Sequence, residues 1–141
     1  MSKNIYKCVL TLSLLLCSII VFSQVSQAEK LADTQLKAYN ERNLEAFMEV
    51  FSDNVKIYDD LAKYNVTNRD AMRTNYQMWF NSVEQLNCEI LDRMVVGDTV
   101  IDYEKVTYKK TGEDEQVMHA IAIYRISGDK ISEVSFIRPK Y

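Results

Sequence analysis

The 141-residue chain has one histidine, three glycines, one proline and three cysteines, and each shortage narrows the functions open to it. A single histidine, His119, excludes a metal site built from several histidines, and the carboxylates show no ligand spacing. Three glycines leave little room for a phosphate-cradling loop or a dinucleotide-binding turn. No arrangement of a serine or cysteine nucleophile is recognisable. We therefore expect neither a metal nor a cofactor.

The chain also lacks a strong charge of one sign. Its 17 basic and 20 acidic side chains give a formal net charge of −3, and the lysines and arginines do not cluster. Binding to nucleic acid or to an anionic membrane surface needs a basic patch. We therefore expect no nucleic-acid partner.

The first 23 residues have the pattern of a secretory signal peptide. Lys3 and Lys7 form a basic start, residues 8–22 are mostly apolar, and Val21 and Ser23 fit the small-residue rule of a cleavage site. As a helix the apolar run would reach only about 22 Å, short of the roughly 30 Å hydrocarbon core of a membrane. This favours a cleaved leader over a permanent membrane anchor.

Cleavage near Ser23 and Gln24 would leave residues 24–141 as a single domain, exported to the periplasm or secreted, with no stable membrane anchor. Two of the three cysteines leave with the leader, so Cys88 cannot form an internal disulfide. A lone thiol on an apolar strand is more often a small core residue than a nucleophile.

The first helix has one polar residue on its apolar side. Leu31, Ala32, Ala38 and Tyr39 follow the spacing of one helical face, and Gln35 lies on that same face. Gln35 is therefore a candidate for the lining of a pocket.

A second short helix and a strand follow. Asn43 is a good N-cap for the helix, and the strand alternates so that Val55, Ile57 and Asp59 share one face. A carboxylate that ends an apolar face is partly desolvated, which raises its pKa toward the range useful for proton transfer. Asp59 is the candidate general base, and its neighbour Tyr58 is a further candidate for the pocket.

Residues 61–67 are predicted to form an exposed connection. Asn68 is then predicted to cap a third helix that runs to about Asn81. The helix has an apolar stripe that includes Tyr76 and Trp79. This stripe indicates either core packing or the wall of a pocket, since both side chains combine a large apolar area with a polar group.

Four antiparallel strands are predicted from about residue 87 to the end. Turns at Gly97-Asp98, at residues 109–114 and at Ser127-Gly128-Asp129 separate them, and Pro139 ends the last. No linker or repeat divides the chain. These elements predict an α+β fold, with three N-terminal helices packed on one face of a curved, mostly antiparallel sheet.

Four segments carry a resemblance to a known family: residues 38–47, 55–59, 100–104 and 120–139. In these the chain resembles the nuclear transport factor 2-like superfamily, especially its SnoaL-like polyketide cyclase and ketosteroid isomerase-like branches. The resemblance implies a cone-shaped domain with an internal pocket. It says little about activity, because the fold hosts isomerases, cyclases, hydrolases, dehydratases and binding proteins.

The resemblance also implies roles for single residues. Asp59 takes the position of the isomerase general base, Gln35 that of an oxyanion-hole tyrosine, and Ala122 that of a protonated aspartic acid. Ala122 has no side-chain donor, so an enolate would lack much of its stabilisation. The resemblance also turns Tyr103 toward the interior of the cone and His119 outward.

In the predicted strand that contains Tyr103, the opposite face carries Asp102 and Glu104. We expect these two side chains to be solvated or to lie in a dimer interface. Apolar residues on both faces of the late strands predict a homodimer through the outer face of the sheet.

Two functions stay open at this point. The first is a pocket protein that binds a small, mostly apolar ligand. The alternative is a cofactor-independent enzyme of the isomerase, cyclase or hydrolase type in which Asp59 is the general base. An enclosed cavity beside Asp59 favours the enzyme, and a filled cone favours a module without chemistry.

Overall fold

The structure is a computed structural model that describes residues 25–60, 63–66 and 68–139. The predicted signal peptide lies outside these residues. Helices are found at α1 (Gln27–Asn40), α2 (Leu44–Glu49) and α3 (Arg69–Ser82). The strands are β1 (Phe51–Asp59), β2 (Lys63–Val66), β3 (Val83–Val96), β4 (Thr99–Lys110), β5 (Gln116–Ser127) and β6 (Lys130–Ile137).

Local capping explains where the helices begin. Ser26 and Glu29 form a capping box at α1, in which each side chain accepts a hydrogen bond from the other residue's backbone N–H. Asn43 and Asn68 accept hydrogen bonds from backbone amides in the first turns of α2 and α3, as predicted. Side chains thus satisfy amides that have no partner within the helix.

The strands form one six-stranded sheet in the order β2-β1-β6-β5-β4-β3. Neighbouring strands are antiparallel except for β1 and β6, which run parallel with Ile57 opposite Val134. The three helices pack against one face of this sheet. The predicted α+β class, with helices on one face of a mostly antiparallel sheet, is confirmed.

Two predicted boundaries were wrong. The exposed connection expected at residues 61–67 contains β2, which pairs antiparallel with β1. Asp60, directly after β1, has a φ of 52°. Strand β3, the first of the four strands predicted after the helices, begins at Val83 rather than near residue 87, because α3 passes directly into extended backbone there. Val83 is buried opposite Lys110, which lengthens the pairing of β3 with β4.

The sheet has an inner face toward the helices and an outer face. Val100, Ala122 and Tyr124 are buried on the inner face, in one core with Leu31 and Ala32 of α1 and with Phe47 and Met48 of α2. The outer face carries alternate residues of the same strands. Its apolar members are Met94, Ile101, Tyr103, Val117, Ile121, Ile123 and Ile137.

Within the described ranges, none of the helices combines the length and the apolar character that a membrane span requires.

Candidate functional site

The core does not fill the cone completely. An inner cavity of about 70 Å³ lies between α1, α3 and the inner face of the sheet. Polar groups reach it from several elements. Its lining consists of Gln35, Leu36, Tyr39, Tyr76, Cys88, Glu104, Val106, Met118, Ala120, Tyr124, Phe136 and Arg138.

A wider cavity of about 350 Å³ opens to solvent from the inner one. Both cavities are lined by Tyr39, Tyr76, Met118, Phe136 and Arg138, so they form one continuous site. The outer cavity is further lined by Ile57, Asn75, Trp79 and Tyr108. Its walls are mainly aromatic.

Contacts among the aromatic side chains fix the shape of the outer cavity. The indole Nε1 of Trp79 donates a hydrogen bond of 3.0 Å to the Tyr39 hydroxyl, which joins α3 to α1. Trp79 also meets Tyr108 edge-on, with 5.1 Å between ring centroids. The ring of Tyr76 packs against that of Phe47 in the core, with 4.4 Å between the ring centroids. A site held by such contacts is largely formed before a ligand arrives.

A chain of buried hydrogen bonds crosses the inner cavity. The Gln35 amide nitrogen Nε2 donates to the Tyr124 hydroxyl at 3.0 Å, and that hydroxyl donates to Glu104 Oε1 at 2.8 Å. Gln35 thus interrupts the apolar stripe of α1 because it has a buried partner on β5.

Glu104 is the unusual member of this hydrogen-bond network, because its carboxyl-bearing side chain is buried, with only 6% exposure. Burial raises the pKa of Glu104 to about 7, while the hydrogen bond from Tyr124 opposes the rise and the nearby charge of Asp102 adds to it. Burial, with the charge of Glu104, holds the pKa of the Tyr124 hydroxyl well above its usual value. Glu104 therefore exchanges its proton near neutral pH and Tyr124 does not.

The cations near the cavity are already paired with carboxylates. Arg93 forms two hydrogen bonds to the fully buried Asp102, of 2.6 and 2.8 Å, and another to Asp33 on α1. Arg138 forms an ion pair with Asp59 and lies over the Phe136 ring at 4.5 Å. Among the described residues, Glu104 takes part in no ion pair.

The structure brings some of the predicted site residues together. Gln35 lines the inner cavity, Trp79 the outer one and Tyr76 both. Ala122 lies on the inner face but is fully buried in the core. Asp59 is half-buried beside the cavity residue Arg138. Arg138 is 79 residues away from Asp59 in sequence and pairs with it in space.

Two predicted pocket residues lie on the outer face instead. Tyr103 pairs with Ile121, is 43% exposed, and has its ring centroid 5.6 Å from that of His119. Tyr58 shares the outer face with its partner Ser135. Side chains alternate along a strand, so these residues point away from the face that carries Asp59 and Glu104.

The orientation expected for β4 was therefore inverted. Asp102 pairs with Ala122 and Glu104 with Ala120, and residues opposite each other in a ladder share a face. Asp102 and Glu104 are buried inside rather than solvated. Sequence reasoning missed Glu104 for this reason, although an inward Ala122 and the correct hairpin register together would have identified it.

Within the described ranges, no group of three or more histidine, cysteine, aspartate or glutamate side chains could hold a metal ion.

The family assignment agrees with this geometry. The family model of the SnoaL-like domain matches residues 32–134 of the sequence, and the chain belongs to that family. The resemblance to the nuclear transport factor 2-like superfamily is thereby confirmed. A search of curated proteins finds no significant match.

Solved structures share the fold. An uncharacterised cystatin-fold protein from Novosphingobium aromaticivorans is 26% identical, with a TM-score of 0.73 over 82% of this chain and 100% of that one. A protein named as a SnoaL-like polyketide cyclase, from Shewanella denitrificans, is 12% identical, with a TM-score of 0.71 over 79% and 90% of the two chains. A protein with a ketosteroid isomerase-like fold from Catenulispora acidiphila, in complex with trimethylamine, is 15% identical, with a TM-score of 0.67 over 76% and 83%.

Proposed function

We propose that the protein binds a small, mostly apolar molecule in the continuous site formed by the two cavities. The observation that carries this proposal is the outer cavity of about 350 Å³, walled by Tyr39, Tyr76, Trp79 and Tyr108. Its volume falls within the range of roughly 300–1,000 Å³ typical of small-molecule sites. The aromatic walls suit an apolar or aromatic body, and the inner cavity supplies a few polar groups to orient it.

Support also comes from the relatives. The Catenulispora protein was solved with a small molecule bound, and its fold is shared by this chain. Most of the aromatic residues around the outer cavity are also held by contacts with other protein groups. We therefore expect little rearrangement of the walls on binding.

The proposal can be tested with a variant that blocks the outer cavity. Asn75 is exposed on α3 and lines the outer cavity, so Asn75→Trp should fill the opening without disturbing the core. N-phenyl-1-naphthylamine, a neutral fluorescent probe, should bind the wild type saturably. Its affinity should fall at least about tenfold in the variant, which corresponds to about 1.4 kcal/mol of lost contact.

Gln77→Trp is the matched control, because Gln77 is exposed on the same helix and does not line either cavity. It should bind the probe like the wild type. Equal loss in both variants, or no saturable binding to the wild type, would count against a ligand site in the cone.

A second candidate function is proton-transfer catalysis without a cofactor, of the isomerase, cyclase or hydrolase type. The specific observation in its favour is Glu104, a buried carboxyl that lines the inner cavity and whose pKa is raised to about 7. A group with such a pKa can both accept and donate a proton at neutral pH. Asp59 stays a candidate base in this proposal, with Arg138 as its ion-pair partner.

5-Nitrobenzisoxazole is a suitable probe, because its ring opens when a base removes the C3 proton and the N–O bond breaks. If Glu104 is the base, the rate should rise with pH through about 7 and fall to background in Glu104→Gln. If Asp59 is the base, the loss should occur in Asp59→Asn instead. Ring opening that neither variant slows would leave binding as the surviving function.

Export and dimerisation complete the proposal. The leader pattern supports cleavage near Ser23 and an exported mature protein. The apolar side chains of the outer face, among them Tyr103 and Val117, support a homodimer that would cover them.

A further inference from the structure

We propose that the inner cavity binds the protonated amino group of a small arylalkylamine, with the ammonium against Glu104 and the aryl group in the outer cavity. This proposal rests on the proposed binding function and adds the class of ligand. Its basis is a buried carboxyl that takes part in no ion pair among the described residues, at the narrower, inner end of an aromatic cavity.

Of the charged side chains around the two cavities, the arginines are paired with carboxylates, but Glu104 has no ion-pair partner among the described residues. Arg93 is neutralised by Asp102 and Asp33, and Arg138 is paired with Asp59. Glu104 takes part in no ion pair among the described residues and accepts its hydrogen bond from the neutral Tyr124 hydroxyl. A buried carboxylate is costly without a charged partner. A ligand cation would supply that partner, whereas an anion would face Glu104 and would have to compete with Asp59 for Arg138.

The size of the inner cavity limits the cationic group. At about 70 Å³ the inner cavity is much smaller than the outer one of about 350 Å³, which suits a compact group such as an ammonium with its first methylene. A primary ammonium can also donate hydrogen bonds to Glu104, which a quaternary one cannot. The cavity therefore favours a primary amine.

The rings around the cavity suit a cation as well. Tyr39 and Tyr76 line both cavities, and aromatic faces attract cations through their negative quadrupole. The same rings continue into the outer cavity, where Trp79 and Tyr108 offer area to an aryl group. An arylalkylamine has a cationic amino group at one end, for the inner cavity, and an aryl group at the other, for the outer cavity.

One group of the inner cavity changes charge near neutrality. The ion-pairing side chains that act on the pKa of Glu104 are Asp102, Arg93 and Arg138. Burial raises the pKa values of the other acidic groups that line the inner cavity from α1, α3, β3 and β5, so these stay neutral. These neutral groups are Tyr39, Tyr76, Cys88 and Tyr124. A cation prefers ionised Glu104, so affinity for an amine should rise as the pH passes upward through about 7.

The test uses three ligands with one indole ring and different charges, each displacing N-phenyl-1-naphthylamine from the full mature domain. These are tryptamine, its neutral hydroxyl counterpart tryptophol, and the anion indole-3-acetate. At pH 8 tryptamine should bind at least about tenfold more tightly than tryptophol, and indole-3-acetate most weakly. The advantage of tryptamine should shrink at pH 5.5.

Glu104→Gln should remove the advantage of tryptamine and its pH dependence while keeping tryptophol binding. Glu89→Gln is the matched control, since Glu89 is an exposed carboxylate of the same sheet beside Lys105, and it should change neither. The charge series on the wild type tests the idea even if the Glu104 variant does not fold.

Equal binding of tryptamine and tryptophol overturns the amine proposal and leaves the binding function standing. Tightest binding of indole-3-acetate, or displacement of the probe by none of the three, overturns it too. The absence of saturable probe binding removes the binding function itself, and the amine proposal with it.

Discussion

Replacing Glu104 by glutamine should make the folded protein more stable at alkaline pH. The side chain is almost fully buried, and its carboxylate form lacks a cationic partner among the described residues. Glutamine has nearly the same shape, stays neutral at every pH, and offers an oxygen to the Tyr124 hydroxyl. The substitution therefore removes the cost of a buried charge and keeps the hydrogen bond.

The size and sign follow from the linkage of proton binding to folding. The pKa of Glu104 is raised from 4.5 to about 7 in the folded state, so between these values the folded state holds a proton that the unfolded state has lost. Stability then falls with rising pH across that window, by roughly 3 kcal/mol in total. Below about pH 4.5 both states are protonated and the two proteins should be equally stable.

The measurement is urea unfolding of both proteins from pH 4.5 to 8, followed by the fluorescence of Trp79, the one tryptophan of the chain. The difference in the free energy of unfolding between the variant and the wild type should grow from near zero at pH 4.5 to about 3 kcal/mol at pH 8. The subtraction cancels the titration of other groups.

Glu89→Gln, on the exposed side of the sheet, should differ from the wild type by less than about 0.5 kcal/mol at every pH. A difference for Glu104→Gln that is constant with pH, or that makes the variant less stable at pH 8, would show that Glu104 is already ionised and well paired in the folded protein.

Three further predictions concern other parts of the chain. The protein should sediment as a dimer at micromolar concentration and Ile121→Glu as a monomer, because a carboxylate would be buried in the outer-face interface; a wild-type monomer contradicts this. Mass spectrometry of the exported form should find Gln24 at the N-terminus, and an intact Met1 contradicts cleavage. Asn68→Ala should lower the free energy of unfolding by about 1 kcal/mol, because Asn68 caps α3 at 2.9 Å, whereas Asn81→Ala near the other end of the helix should cost less.

The helices were predictable because their signals are local. Asn43 and Asn68 each precede an amphipathic run, and each caps the helix that follows. The turn at Gly97 also falls where the sequence predicts it, with a φ of 58° that glycine adopts without strain. Strand β2 was missed because it has only four residues and its evidence is its pairing with β1, which no local pattern in the sequence reveals.

The site was harder to predict, because its contacts join distant residues. Gln35 and Tyr124 are 89 residues apart, and no local pattern connects them. Whether Tyr103 or Glu104 faces inward depends on a one-residue choice of register, which the sequence of β4 leaves open because both of its faces carry polar and apolar residues. The partner of Asp59 lies beyond the end of the last strand, where no sequence argument placed it.

The position of β6 in the sheet has a consequence for the order of folding. β6 lies between β1 and β5 in the sheet, although it follows all the other described strands in sequence. Before β6 is added, the β1–β2 pair and the three strands β3, β4 and β5 are separate ladders. Phe51 of β1 has its partner, Ile131, in β6. Such long-range closure slows folding. Phe136 and Arg138 belong to this segment, so the cavity can take shape only after β6 and the residues just beyond it have been synthesised.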